Sequence, residues 1–137
     1  IPKTLQDNIF DLTQLILAKK IDQARDLVRD LTLQGEDEIK LIAIMLGQFR
    51  LYTQVKILQE SGQTESQMVS SLGHYLGRNP NPYQIKFALR DTRGLSLNFL
   101  QDSIRYLIQA DYQIKTGVYE KGYLFEKALL QIASQSN

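Results

Sequence analysis

Residues 36–59 constrain the fold more than any other stretch of this chain. Ile39, Leu41, Ile42, Ile44, Met45, Leu46, Phe49, Leu51, Tyr52 and Val55 recur at helical spacing but cover more than one face. A helix that is apolar nearly all round has to be packed by several neighbours. The pattern therefore predicts a long central helix from about Glu36 to Gln59, with the acidic run Glu36-Asp-Glu38 in its first turn, where it complements the helix dipole.

The rest of the chain supplies the neighbours. Leu5, Ile9, Leu12 and Ile16 mark a first helix over about 4–19. Ala24, Leu27, Val28 and Leu31 mark a second, capped by Asp22 and ended by Gly35. Thr64-Glu-Ser-Gln67 has the form of a capping box and opens a fourth helix that Gly77 closes. Asn79-Pro-Asn-Pro82 breaks the chain, since each proline disfavours helix in the residue before it. Asn81 as cap and Pro82 at the first position then start a fifth helix, to about Arg93. Ser96 opens a sixth, ended by Gly117, and a seventh covers about Gly122 to Ser134. No stretch alternates like a strand for long, and no repeat is visible. The expectation is a single compact all-α domain, residues 1–137, of about seven helices.

Length and composition fit that expectation. A chain of 137 residues, 43% hydrophobic and 23% charged, makes one domain of ordinary soluble composition. No uninterrupted apolar run approaches the roughly 18 residues of a membrane span, and no signal peptide is visible, so no membrane partner is expected. The absence of cysteine rules out a disulfide framework and thiolate chemistry and agrees with a reducing cytoplasm. The chain opens at Ile1 without an initiator methionine, which predicts a domain cut from a longer protein. Net charge is +1, with 8 basic against 9 acidic residues over 1–62 and 8 against 6 over 63–137. Neither the total nor the split points to nucleic acid.

The inventory argues against catalysis. His74 is the only histidine, and beside Tyr75 near a helix end it reads as a surface or packing residue. There is no G-x-x-x-x-G-K-[ST] loop to cradle phosphates and no G-x-G-x-x-G after a strand. Neither a catalytic residue, a cofactor nor a metal is expected, and ATP should be neither bound nor hydrolysed by these residues.

Four landmarks carry a resemblance. "NPY" at Asn81 launches a helix, and a later long helix ends in D-x-x-I-K-T-G, from Asp111 to Gly117. The central helix carries Gln48-Phe-Arg50-Leu51, and Asn8-Ile-Phe10-Asp-Leu12 precedes both. In their order along the chain, over residues 8–117, they resemble the C-terminal domain of the delta subunit of the bacterial DNA polymerase III clamp loader. The resemblance implies a helical collar that packs against other clamp-loader subunits, of delta-prime and tau/gamma type, in the bacterial cytoplasm. It implies that the sliding clamp is met only by an N-terminal AAA+-like region outside this chain, and that the complex serves a DNA polymerase while this fragment is no enzyme. With unlike neighbours, the isolated domain is expected to be a monomer.

Three sets of residues are candidates for function. Tyr119, Tyr123 and Leu124 lie off the Phe125/Leu129/Ile132 stripe of the last helix, and are read as a subunit interface or as ordinary packing. Arg78, Lys86, Arg90 and Arg93 are read as a phosphate-tracking stripe for weak contact with primed DNA, with the last three at i, i+4 and i+7 of the fifth helix, or as a solvated face. That stripe keeps open an alternative, a helical nucleic-acid-binding or adaptor domain unrelated to the clamp loader. The third set is the stretch DYQIKTG. Leu97, Leu100, Ile104, Leu107 and Ile108 step along one stripe, yet the next position is Asp111, before Ile114 resumes and Lys115 follows one turn on. We expect a structural joint. Asp111 would be partly buried and accept hydrogen bonds from Lys115, from Arg50 or from backbone at a helix start, and Gly117 would turn left-handed. The plainer alternative is a solvated pair worth about 0.2–0.5 kcal/mol.

Overall fold

The computed structural model describes residues 2–136. Its element order is α1 (Leu5–Leu17), α2 (Ile21–Leu33), α3 (Glu38–Glu60), α4 (Glu65–Leu76), α5 (Pro82–Asp91), α6 (Leu97–Lys115) and α7 (Lys121–Ala133). Among the described residues there is no strand, so the expected all-α domain of seven helices is what forms.

Local chemistry explains most helix starts. Thr4 caps α1 in a capping box with Asp7, and Thr64 does the same for α4 with Gln67. Asn81 accepts from the Tyr83 N–H with Pro82 at the first position of α5, and the Ser96 side chain accepts from the Phe99 N–H at the start of α6. Two expected starts are displaced. Asp22 sits inside the first turn of α2, whose cap position is Lys20 and carries no side-chain cap. The central helix begins at Glu38 because Asp37 caps it, accepting from the Ile39 N–H at 2.7 Å, which leaves Glu36 outside the helix. The fifth helix stops at Asp91, with Thr92 as its C-cap.

α3 takes the central role that its apolar periphery requires. Leu41, Ile42, Met45, Phe49 and Val55 are fully buried, and α1, α4, α5, α6 and α7 all pack on it. By length and composition alone, α3 would qualify to cross a membrane, despite the charges that interrupt its apolar run. Here its apolar faces are covered by neighbouring helices instead. Phe125 on α7, Leu100 on α6, Ile85 on α5 and Ile9 on α1 complete the core. Each such side chain contributes roughly 1.5–3 kcal/mol by leaving water.

An exposed ion pair marks the direction of the helices. Lys121 Nζ lies 3.0 Å from Asp37 Oδ2, so the beginning of α7 stands beside the beginning of α3. α6, which ends just before α7, therefore runs antiparallel to α3 along their shared contact. The two ends of the domain also meet, where Lys19 Nζ donates to the Gln135 carbonyl at 3.2 Å.

Candidate interface surfaces

The DYQIKTG joint forms with fewer partners than expected. Asp111 Oδ2 is 2.9 Å from Lys115 Nζ, with the carboxylate a quarter exposed and the ammonium more than half exposed. Arg50 is exposed and takes no part in the joint. The antiparallel course of α6 explains this. Arg50 lies thirteen residues beyond Asp37 (50 − 37), roughly 20 Å along α3 from the end that meets the α6–α7 turn, whereas Asp111 is within one turn of that end. Among the described residues no backbone N–H reaches Asp111 either. The turn itself forms as the sequence requires. Gly117 has φ 69°, its N–H donates to the Ile114 carbonyl at 3.1 Å, and the Val118 N–H donates to that of Gln113 at 3.0 Å. These paired bonds close a helix through a left-handed residue, which glycine adopts without steric cost.

The buried carboxylate of this fold is Asp91 at the end of α5, a residue that no local sequence pattern marks. Its side chain is 3% exposed. One oxygen accepts from Gln14 Nε2 on α1 at 2.7 Å and from the Tyr52 hydroxyl on α3 at 2.8 Å. The other accepts from Arg90 Nε at 2.9 Å. Lys56 adds a bond from its ammonium to the Thr92 carbonyl at 3.2 Å, so three helices are tied at one point. Burial, reinforced by the neighbouring Asp91 charge, holds the Tyr52 hydroxyl well above the ordinary tyrosine range. Among the described residues no buried side-chain N or O is left without a partner.

The three residues read together on the last helix separate. Tyr119 and Tyr123 are 63% and 53% exposed and pack edge to face, with ring centroids 5.0 Å apart. Leu124 is buried, which removes it from any interface. The reason is that α7 is wedged among α1, α2, α3 and α6, so its buried arc is wider than the Phe125/Leu129/Ile132 stripe and takes in Leu124 and Ala128. Ile108 and Tyr112, one turn apart on the outer face of α6, and Val118 in the turn are all exposed. Adjoining Tyr123 is a hollow of about 570 Å³, lined also by Arg25, Tyr106, Glu126, Lys127 and Gln131. Tyr106 is the α6 residue that shares this hollow with Tyr123, whereas Ile108 and Tyr112 point away from it on the far side of α6, so the contiguous exposed aromatic feature here is the Tyr119–Tyr123 pair.

The cationic stripe is broken up. Lys86 and Arg90 are exposed on α5, but Arg93 falls beyond the helix end, so the three do not share a helical face. Arg90 stays exposed but is held at Nε by Asp91, with its guanidinium 4.9 Å from the Phe87 ring centre. Arg78 is exposed in the turn after Gly77, and His74 is exposed in the last turn of α4.

The fold is thus an all-α domain with a polar tie buried among α1, α3 and α5 and an exposed aromatic pair after α6, and comparison with known proteins gives its family. Residues 6–132 match the family of C-terminal domains of the DNA polymerase III delta subunit, and the chain belongs to that family. It is 32% identical over 136 residues to the DNA polymerase III subunit delta of Bacillus subtilis, covering 99% of this chain and 38% of that protein. Among solved structures it superimposes on the Bacillus subtilis DNA clamp loader delta protein (YqeN) with a TM-score of 0.85 and 32% identity, over 98% of this chain and 38% of the other. The chain thus spans well under half the length of the relatives it matches. The resemblance carried by NPY, QFRL and DYQIKTG points to the same family.

Proposed function

We propose that this domain is a non-catalytic collar module, through which a clamp-loader delta subunit packs against subunits of delta-prime and tau/gamma type. Contact with the sliding clamp falls to other parts of the delta protein, and the assembled complex opens the clamp and loads it on primed DNA in the bacterial cytoplasm. One observation carries the proposal, namely the exposed edge-to-face pair Tyr119 and Tyr123 at the α6–α7 turn. Tyrosine is enriched at the energetic centres of interfaces, where its ring is buried and its hydroxyl keeps a polar partner. The left-handed turn at Gly117 reverses the chain directly before Val118 and Tyr119, so the DYQIKTG joint acts as the mount for this surface.

The test is a full-length delta protein with Tyr119→Ser and Tyr123→Ser. Both residues are exposed, so the variant is expected to melt within about two degrees of the parent. It should lose at least tenfold in affinity for the other clamp-loader subunits, measured by analytical gel filtration against concentration. Assembly at parental affinity would remove this surface from the collar. The isolated domain is expected to sediment as a monomer at micromolar concentration, because a pair meant for an unlike neighbour has no self-complementary partner.

A further inference from the structure

We infer that the outward face of α5 is a second docking surface, and that its occupant is an acidic segment of a protein neighbour. The inference rests on the collar reading above, since it assigns that module a second contact. Between Glu65 and Asp102 the only carboxylate in the sequence is Asp91. Asp91 is buried and spent on Gln14, Tyr52 and Arg90, so this stretch of sequence shows no side-chain anion of its own to solvent, and Asp7 of α1, on the hollow beside Gln84 and Phe87, is the exposed carboxylate next to it. The stretch itself shows cations, with Arg78, Lys86, Arg90 and Arg93 all exposed.

Aromatic rings are set among those cations. Tyr83 is 66% exposed and Phe87 42%. Tyr83, Lys86, Phe87 and Arg90 stand at i, i+3, i+4 and i+7, and so share one helix face. On that face Phe87 leans on Phe10 of α1 at 5.9 Å, and the Arg90 guanidinium is held over the Phe87 ring by its bond to Asp91. Arg90 is therefore presented in one orientation, with its outer N–H edge free for a carboxylate. A planar guanidinium takes a carboxylate with two parallel hydrogen bonds.

Two features favour a protein over nucleic acid. Asp91 offsets one of the four charges, leaving about three phosphate contacts, too few to hold a polyanion at cellular salt. Tyrosine, phenylalanine and arginine ringed by polar groups is also the composition of an interface centre.

The experiment uses the full-length delta protein in the reconstituted complex, with a carbodiimide that joins lysine amines to carboxylates at zero length. The expected result is a cross-link from Lys86 to an Asp or Glu of a neighbouring subunit. Tyr83→Ser with Lys86→Glu should abolish that link and weaken assembly at least tenfold while the melting temperature of the free protein stays unchanged. If the parent complex assembles but Lys86 gives no such link and the double variant assembles normally, the inference is overturned and the collar reading stands. If the double variant assembles normally but the complex loses affinity for an oligo-dT strand, the face belongs to nucleic acid and the inference is again overturned. If the parent protein does not assemble at all, the collar reading falls first and takes the inference with it.

Discussion

Asp91 holds three donors on two oxygens, and replacing it should be felt at each of them. Asp91→Ala strands the Gln14 amide and the Tyr52 hydroxyl in the interior and is expected to cost about 3 kcal/mol. Asp111→Ala removes only a half-solvated pair one helical turn long, and should cost no more than about 0.5 kcal/mol. Urea unfolding of the two variants side by side checks both values, and equal losses would contradict this division. Tyr52 adds a pH dependence. Its hydroxyl is raised in the folded state, so the stability it contributes is complete below the ordinary tyrosine value. That stability is lost as pH climbs above about 10, where the unfolded chain ionises first. Tyr52→Phe should flatten the loss of unfolding free energy between about pH 9 and about pH 11. At Lys19 the backbone has φ 61°, and the residue sits just past the end of α1 where glycine is the usual choice. Lys19→Gly is expected to stabilise by about 1 kcal/mol by relieving that conformation, less whatever the Lys19 bond to Gln135 contributes.

At the scale of helices, the sequence is legible wherever a helix end is decided by its own neighbours. Thr64 with Gln67, Asn81 with Pro82, Ser96 and Gly117 all act where they are expected, because a cap reaches only two or three residues along the chain. The central place of α3 is legible for a related reason, since an all-round apolar helix cannot rest against water. What the sequence hides depends on distance. Asp91 meets Gln14 across 77 positions and Tyr52 across 39, and nothing local to α5 marks that carboxylate as buried. Pairing Arg50 with Asp111 requires a direction of α3 against α6 that the fold does not have. Leu124 falls outside the expected stripe because the number of helices around α7 is not written in α7. One helical glycine shows a packing constraint of the same kind. A Cβ on Gly73 in α4 would stand 2.2 Å from Asn79 Oδ1 and 3.3 Å from Asn79 Cα. Gly73→Ala gains helix propensity, but has to displace a short side chain close to its own backbone. A net loss of about 1–2 kcal/mol is expected, with faster amide exchange over residues 77–81 as the local reading.

Seen as one body, the domain closes on its own beginning. α1 packs against α7 as well as against α2 and α3, and Lys19 donates to Gln135 across 116 positions. Removing α7 should therefore expose Ile9, Leu12 and Ile16 at the other end of the chain as well as its partners on α6. A chain ending at Gly117 is expected to lose its cooperative thermal transition altogether, and a clean two-state melt from such a truncation would show that α1 to α6 suffice. The same closure has a consequence in time. Synthesis runs from α1 to α7 at about 5–20 residues per second, so the first helix waits on the order of ten seconds for the last to emerge. Through that interval its apolar stripe has only a partial shelter, and it is open to chaperones and proteases alike. Nascent chains stalled on the ribosome before α7 has cleared the exit tunnel are expected to be cut within α1 and α2, and chains stalled after it has cleared should resist.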